Sequence, residues 1–432
     1  MTVTAPPPVR PPTGSQRLLA APGPGFDDHR HTHGPLPLVG PGTIDEIGRA
    51  GVDGRGGAGF PLARKLAAVA ARSARASGTG RGHDRTPVVI GNAAEGEPAS
   101  RKDAVLLERA PHLVLDGLVV AALAVGAREA VVATSDRLAV LVRRALDERA
   151  TAAATWTAAP DPVALDVRPL SHTSFVAGEA GALASAVAGG RGLPEDRVVR
   201  LAERGPSARP TLVANVETLA QAALVARHGA AWARSVGSAG APGTRLVTVS
   251  DVTDPAGAVV LETAGGAPIG ELLVASRLDV ADPRRTRAVL VGGWGGTWVP
   301  AAALDAPLDV DGLAPWGAAP GAGVLAVLDH RRCPVTVTAR IAGALADASA
   351  GRCGPCVNGL ARIAEVVSAL ASGRATGAVA AEVQRLTALV DGRGACHHPD
   401  GVARMVRSAV RVFRDDVQAH LGGRCLHAGG AR

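Results

Sequence analysis

Three groups of residues in this 432-residue chain have types and spacings that can do chemistry. The first is Gly54-Arg55-Gly56-Gly57-Ala58-Gly59-Phe60-Pro61-Leu62-Ala63-Arg64-Lys65. Its four closely spaced glycines let the backbone turn tightly and approach a ligand with no Cβ in the way. Pro61 suits the first turn of a helix, where its missing N–H costs nothing. The stretch therefore predicts a turn, a helix N-terminus and then a cation, Lys65, one turn further on, which is an arrangement that holds phosphate. The spacing Gly54-x-Gly56-x-x-Gly59 also matches the dinucleotide fingerprint, but that fingerprint needs a strand directly before it. Residues 43–48 read instead as a short capped helix, so the Rossmann reading fails on context. A glycine-rich connection without a ligand is the alternative.

The second group is acidic and amidic. The wholly apolar run 87–91 reads as a buried strand, and it leads directly into Asn92-Ala93-Ala94-Glu95-Gly96-Glu97-Pro98. Polar residues at the C-terminal end of such a strand are where α/β proteins place ligand contacts; a plain acidic turn is the other reading. Gly178-Glu179 stands at what reads as a strand end turning into a helix over 175–183, and Asn215-Val216-Glu217-Thr218 leads into a further helix. The third group is Cys353-Gly354-Pro355-Cys356 with a distant Cys396, followed by His397 and His398. Such spacing suits iron–sulfur or zinc ligation; a thioredoxin-type pair would follow a strand rather than open a helical region. Cys333 and Cys425 lack partners at useful spacing and read as buried thiols.

These groups need elements to position them. After a Pro- and Gly-rich segment 1–40, read as a disordered tail in which His29, His31 and His33 are part of a solvated linker, the chain alternates helix and strand. Helices are expected over 62–73, 103–109, 113–127 and 137–149, and strands over 130–134 and 163–167. This alternation predicts an α/β domain. From about residue 243 the pattern changes to antiparallel-type strands over 245–250 and 259–262, a short helix over 269–276 and a strand over 288–292, which suggests a small β-grasp module. A strand over 324–329 precedes helices over 335–345, 357–371, 379–390 and 402–421. The domains expected are thus 41–240, 241–310 and 320–425, with a tail over 426–432.

Composition narrows the function. The net charge is +7 and the pI near 10.0, but Arg is scattered and only four Phe and five Trp are available for stacking, so nucleic-acid binding is not expected. The N-terminus lacks an apolar signal core, and the longest apolar run, 113–127, is broken by Asp116 and too short to span a bilayer. A cytoplasmic protein is expected, and in that compartment a CxxC pair favours metal over disulfide. Against a background of Arg, only two Lys remain, Lys65 and Lys102, and only three Asn, Asn92, Asn215 and Asn358. All five fall in or beside the three groups.

The ordered set of motifs from about residue 41 to about 425 resembles the flavin- and NADH-binding subunit of respiratory complex I (the NADH:quinone oxidoreductase F-subunit family) and its relatives in NAD-linked hydrogenases and formate dehydrogenases. The resemblance implies an α/β FMN-binding domain, a β-grasp (ubiquitin-like, SLBB-type) domain and a helical-bundle iron–sulfur domain. It implies FMN cradled by Gly54, Arg55, Gly56, Gly57 and Gly59, with Lys65, Asn92, Glu95, Gly178, Glu179, Asn215 and Thr218 around it. NADH would stack near Phe60, Lys65 and Glu97, with Glu97 and Glu179 as the acids at the reacting centre. Cys353, Cys356 and Cys396 would bind a 4Fe-4S cluster that passes electrons to a ferredoxin-like or thioredoxin-like 2Fe-2S partner subunit. The chain departs from the family where an acid is usual at Ala94 and at Ala180, an Asn at Ala214 and a cluster cysteine at Ala350; the family's Lys and aromatic over NADH fall at Arg197 and Arg200. The fourth iron position is then open to water, His397 or His398, or the cluster is a 3Fe-4S form. A catalytically weakened redox scaffold without turnover is the second reading of these losses, and a flavoprotein using a donor other than NADH is a further one.

Overall fold

A computed structural model describes residues 16–77, 86–170, 174–194, 199–375 and 378–427. Its first sheet has four parallel strands: β1 (Val88–Ala93), β2 (Glu129–Ser135), β3 (Ala164–Leu170) and β4 (Thr211–Asn215), in the order β3-β2-β1-β4. Successive strands step outward from β1 on one side, while β4 pairs on its other side. The order therefore reverses between β1 and β4, and a ligand crevice is expected at the C-terminal ends of those two strands. There the register pairs Asn92 with Asn215.

Two long helices, Pro111–Val125 and Val216–Ala233, pack on this sheet. The first is buried along nearly its whole length, as its unbroken apolar pattern requires. The two backbones meet at Gly117, where a Cβ would overlap the Leu219 carbonyl oxygen.

The segment expected to be a disordered tail is folded from residue 16 on; residues 1–15 lie outside the described residues. Glu262 accepts the backbone N–H groups of Arg17, Leu18 and Leu19 at 2.8–2.9 Å. The Arg17 guanidinium lies 4.0 Å from the Trp232 ring centroid. A helix over Phe26–His33 buries His29 and His33, and His29 Nε2 lies 2.8 Å from Asp116. The solvated-linker reading of His29 and His33 is thus overturned by a buried carboxylate 87 residues away in sequence; of the three, His31 alone is exposed.

The second sheet has five strands, β5 (Thr244–Asp251), β6 (Asp254–Ala264), β7 (Thr286–Val291), β8 (Thr297–Pro300) and β9 (Val324–Asp329), ordered β6-β5-β9-β7-β8. Only β5 and β9 run parallel. Where the sequence suggests a β-grasp module ending near residue 310, β9 is the central strand, so the sheet continues through Asp329. One face buries Val247, Val249, Val289 and Val327 against Ile269 and Leu273 of the helix Ile269–Ser276. The other face, with Leu290, Trp298 and Leu328, packs on the C-terminal helices, and Ser408 Oγ accepts the Trp298 backbone N–H at 2.9 Å.

Those helices are Pro334–Asp347, Ala361–Ala371, Val379–Val390, His398–Val412 and Arg414–Leu421. The single helix expected over 402–421 is broken at Phe413 (φ −107°, ψ 38°), whose ring turns inward to meet Trp298 at 5.2 Å. A turn of π-helix over Pro355–Leu360 carries Cys356 into the core; such turns recur at functional sites.

Candidate functional site

The glycine stretch forms a closed loop. Gly54 N–H donates to the Phe60 carbonyl at 3.0 Å and Leu62 N–H to Val52 at 2.9 Å, which brings Asp53 and Pro61 side by side. Arg55 N–H donates to Thr218 Oγ1 at 2.8 Å, tying the loop to the start of the helix after β4. Between these anchors Gly56 to Phe60 is exposed. Gly57 (φ +110°) and Gly59 (φ +63°) take conformations that favour glycine. A Cβ at Gly59 would meet nothing within 4 Å, and one at Gly57 only the Ala322 amide at 4.0 Å. The glycines therefore border open space rather than a packed interior.

Lys65 follows in the helix Leu62–Ser77, as predicted. Its Nζ donates to the Val213 carbonyl of β4 at 3.2 Å, and no carboxylate pairs with it among the described residues. Burial lowers its pKa. A half-buried cation whose one partner is a neutral carbonyl is short of negative charge, a deficit that a phosphate beside the glycine loop would make good. The open glycine arc and this lysine fit the phosphate end of an FMN.

Asn92 and Asn215 meet at the crevice floor. Asn92 Nδ2 donates to the Gly178 carbonyl at 2.8 Å and its Oδ1 accepts the Ala94 N–H at 3.1 Å. Asn215 caps the helix Val216–Ala233: its Oδ1 accepts from Glu217 N–H and from Lys102 Nζ at 3.1 and 3.0 Å, while Nδ2 donates to Asp103 at 2.7 Å and to the Asn92 carbonyl at 3.3 Å. Lys102, Asp103 and Glu217 thus form a buried charge network under the crevice, with Lys102 Nζ 2.7 Å from Asp103 and 3.1 Å from Glu217. Burial opposes the charge on Lys102, but Asp103 and Glu217 outweigh it and its pKa is raised. None of these three belongs to the site expected on sequence; the rarity of Lys is the one signal pointing to the first.

The acids divide. Glu95 (φ +43°) turns its carboxylate onto Ser100 Oγ and the backbone N–H groups of Asp103 and Ala104 at 2.7–3.0 Å. It caps the helix Lys102–Arg109, favoured by the helix dipole, so its side chain builds the crevice wall. Glu179 likewise accepts Ala182 N–H at 2.8 Å as N-cap of the helix Ala180–Val187. Residues 175–178 are turns and Glu179 a bend, contrary to the strand end expected there. Glu97 accepts the N–H groups of Ala99 and Trp294 at 3.2 and 2.9 Å, and a Cβ at Gly293 would overlap its carboxylate. Enclosure by the β7–β8 turn pushes its pKa up to about 7 against those two hydrogen bonds. Phe60 is 46% exposed. Arg197 lies outside the described residues, and Arg200 is exposed.

The cysteine group sits against this same edge. Phe175 and His398 rings lie 5.0 Å apart, and Gly295 and Gly401 touch backbone to backbone. Burial pushes the Cys356 thiol up to about 12, with Cys353 adding to the shift. Cys396 is raised by burial, opposed by the His398 backbone N–H, and raised further by Glu179. Cys353 and Cys396 both act on Cys356, and burial disfavours the thiolates of Cys356 and Cys396 in the absence of a cation, which an iron–sulfur centre would supply, since binding metal deprotonates its thiols. His398 Nε2 bonds the Leu345 carbonyl at 2.8 Å, leaving its buried Nδ1 without a partner; His397 is exposed and paired with Asp400. Cys333 and Cys425, expected to be solitary buried thiols, are only half-buried and stand beside His420; the fold closes an 87-residue separation between Cys333 and His420. No described helix is long and apolar enough to cross a membrane.

Residues 47–224 match the family model described as the Nuo51 FMN-binding domain, and residues 336–420 that of the NADH-ubiquinone oxidoreductase-F iron-sulfur binding region. Over 383 residues the chain is 29% identical to the NADH-quinone oxidoreductase F subunit numbered 2 in Rhizobium meliloti, covering 88% of each. It is 27% identical to the NADH-quinone oxidoreductase F subunit of Escherichia coli, covering 87% of this chain and 83% of that one. Among solved structures it resembles a chain of an NAD+-reducing [NiFe]-hydrogenase in the H2-reduced state, with TM-score 0.74 and 30% identity over 88% of this chain. The air-oxidised form gives TM-score 0.75 and 29% identity over 95%. This chain spans only 62% and 65% of the length of those hydrogenase chains.

Proposed function

The chain belongs to the NADH-quinone oxidoreductase F-subunit family, and on that premise we propose how its own residues serve an FMN flavoprotein that oxidises NADH and passes electrons to iron and sulfur. The observation that carries this reading is the meeting of three features at one sheet edge: the open glycine arc with Lys65, the Asn92–Asn215 register pair at the reversal of strand order, and the cysteine loops packed behind Phe175. When bound, FMN supplies acceptance of a hydride and its release as single electrons.

Gly56, Gly57 and Gly59 present backbone to the phosphate, and Lys65 supplies the positive charge. Gly54, Arg55 and Thr218 hold the loop in place, and Asn92 with Gly178 forms the floor on which an isoalloxazine would rest. Phe60 offers an exposed face for the nicotinamide. Glu97 is the acid at the reacting centre: with a pKa near 7 it is largely neutral below that pH, which spares the dinucleotide a repelling charge. Glu179 acts through position, holding the helix Ala180–Val187 in register with Cys396 nearby. Cys353, Cys356 and Cys396 ligate the 4Fe-4S cluster, with the buried Nδ1 of His398 or solvent at the position Ala350 vacates.

The electrons then pass to a partner with a ferredoxin-like or thioredoxin-like 2Fe-2S centre, and the protein works as a peripheral member of that assembly. The test is NADH–ferricyanide turnover by the purified protein with stoichiometric flavin. A scaffold without turnover is the second reading, favoured by Ala350 in place of a thiolate. Robust turnover excludes the scaffold; flavin- and iron-loaded protein without turnover excludes the enzyme.

A further inference from the structure

Cys333, His420 and Cys425 come together at the far end of the C-terminal helices. One ligand atom from each lies within 4.8 Å of the others, and Cys333 Sγ and His420 Nε2 are 3.2 Å apart. A tetrahedral zinc with Zn–S of about 2.3 Å and Zn–N of about 2.0–2.1 Å places its ligand atoms about 3.4–3.8 Å apart, a spacing that the three atoms meet to within about 1 Å. The set is separate from the cluster cysteines. Cys333 caps the N-terminus of the helix Pro334–Asp347, whereas Cys353 and Cys356 follow its C-terminus; fourteen residues of helix put about 20 Å between the two ends.

Backbone N–H groups support both sulfurs. Cys333 Sγ accepts the Thr336 backbone N–H at 3.5 Å at that helix N-terminus, where the dipole favours negative charge. Cys425 Sγ accepts the backbone N–H of His427. Such N–H···S bonds are the outer support expected of metal-bound sulfur. His420 is buried on the last turn of Arg414–Leu421. The other nearby imidazole, His427, is engaged by Asp416 at 2.8 Å, which leaves solvent as the fourth ligand beside the two half-buried sulfurs.

We propose that Cys333, His420 and Cys425 bind one zinc ion, which ties the end of the chain to the start of its helical domain. On binding, the two thiols release their protons to solvent, and neutral His420 ligates through Nε2, so the site carries no net charge beyond its water. The carboxylate of Asp416 and the guanidinium of Arg287, paired to each other behind His427, stay outside the ligand set.

The test is metal analysis of untagged full-length protein from zinc-replete cells, with cobalt substitution as the second readout. Wild type is expected to hold one zinc per chain in addition to iron. Cys425→Ser and His420→Gln should lower zinc about tenfold or more at fixed free zinc while iron and flavin per chain stay unchanged, whereas Cys356→Ser should lower iron and leave zinc. Cobalt added to zinc-stripped wild type should develop a thiolate-to-metal charge-transfer band, which keeps the test independent of variant folding. Zinc-free wild type that shows no such band overturns the proposal, as does zinc retained in full by Cys425→Ser. A zinc-free protein whose Cys333 and Cys425 are joined as a disulfide overturns it too.

Discussion

Replacing Lys102 by Met removes the cation that touches both Asp103 and Glu217 in the network under the crevice, and leaves Glu217 with Arg55 at 3.9 Å. Its Nζ contacts Asp103 at 2.7 Å, Asn215 at 3.0 Å and Glu217 at 3.1 Å, and Lys102, Asp103 and Glu217 are each under 5% exposed. Breaking a buried pair by deleting one partner costs about 3–5 kcal/mol, because a charge is left uncompensated; here Asp103 is left without its cation, while Glu217 keeps Arg55 and Arg245. The Lys102→Met protein is therefore expected to lose about 3–5 kcal/mol at pH 8 in urea unfolding. The sign of its pH dependence follows. Burial already raises the Asp103 pKa with Lys102 in place, and loss of the cation raises it further above its unfolded value, so the folded form takes up a proton and regains stability as pH falls. The deficit should shrink between pH 8 and pH 5, and the double variant Lys102→Met with Asp103→Asn should recover at least half of it. A loss below about 1 kcal/mol, or a deficit that is flat with pH, would refute the reading of this network as a compensated buried charge cluster.

Three further outcomes follow from the same geometry. Lys65→Ala removes a charge-assisted contact to phosphate and should weaken FMN binding about 10-fold to about 150-fold, measured by fluorescence titration of the apoprotein; unchanged affinity would place the phosphate elsewhere. Glu97 has its pKa pushed up to about 7, so its neutral form prevails below that pH and the stability it lends is lost as pH rises through 7. The KM for NADH should climb over the same range and become flat in Glu97→Gln; a wild-type KM that ignores pH from 6 to 8 argues against this role. Deleting residues 1–34 strips His29 from Asp116, which burial disfavours but Arg227, His29 and Arg149 hold well below the usual carboxylate range. The truncation should cost about 1–3 kcal/mol for that contact alone, and an unmoved urea midpoint would return the segment to linker status.

What could be read from sequence follows the range of the interactions involved. Val324–Asp329, Ile269–Ser276 and Val379–Val390 fall where periodicity and length place them, because local burial decides them. The glycine loop and the helix carrying Lys65 are legible from φ preference and proline position. The fate of polar side chains is not. Glu95, read as a ligand, spends its carboxylate on the N-terminus of Lys102–Arg109, a choice set by its own left-handed backbone. His29 looks solvated among prolines and glycines until the fold brings it to Asp116, which Arg149 and Arg227 also reach from two other helices. Cys333 and Cys425 look solitary because their partner, His420, is brought to Cys333 by helix packing. The second sheet shows the same limit: its central strand, β9, arrives 73 residues after β5 ends at Asp251.

The central claim is that one edge of the parallel sheet holds flavin and hands its electrons to a cluster on the cysteine loops. Anaerobic addition of NADH to protein reconstituted with FMN, iron and sulfide, followed by visible absorbance and EPR, tests it most directly. Bleaching of the flavin band is expected, together with a reduced-cluster signal that is missing in Cys356→Ser. A flavin band that NADH leaves unchanged, or a reduced flavin with no cluster signal in the wild type, would contradict it.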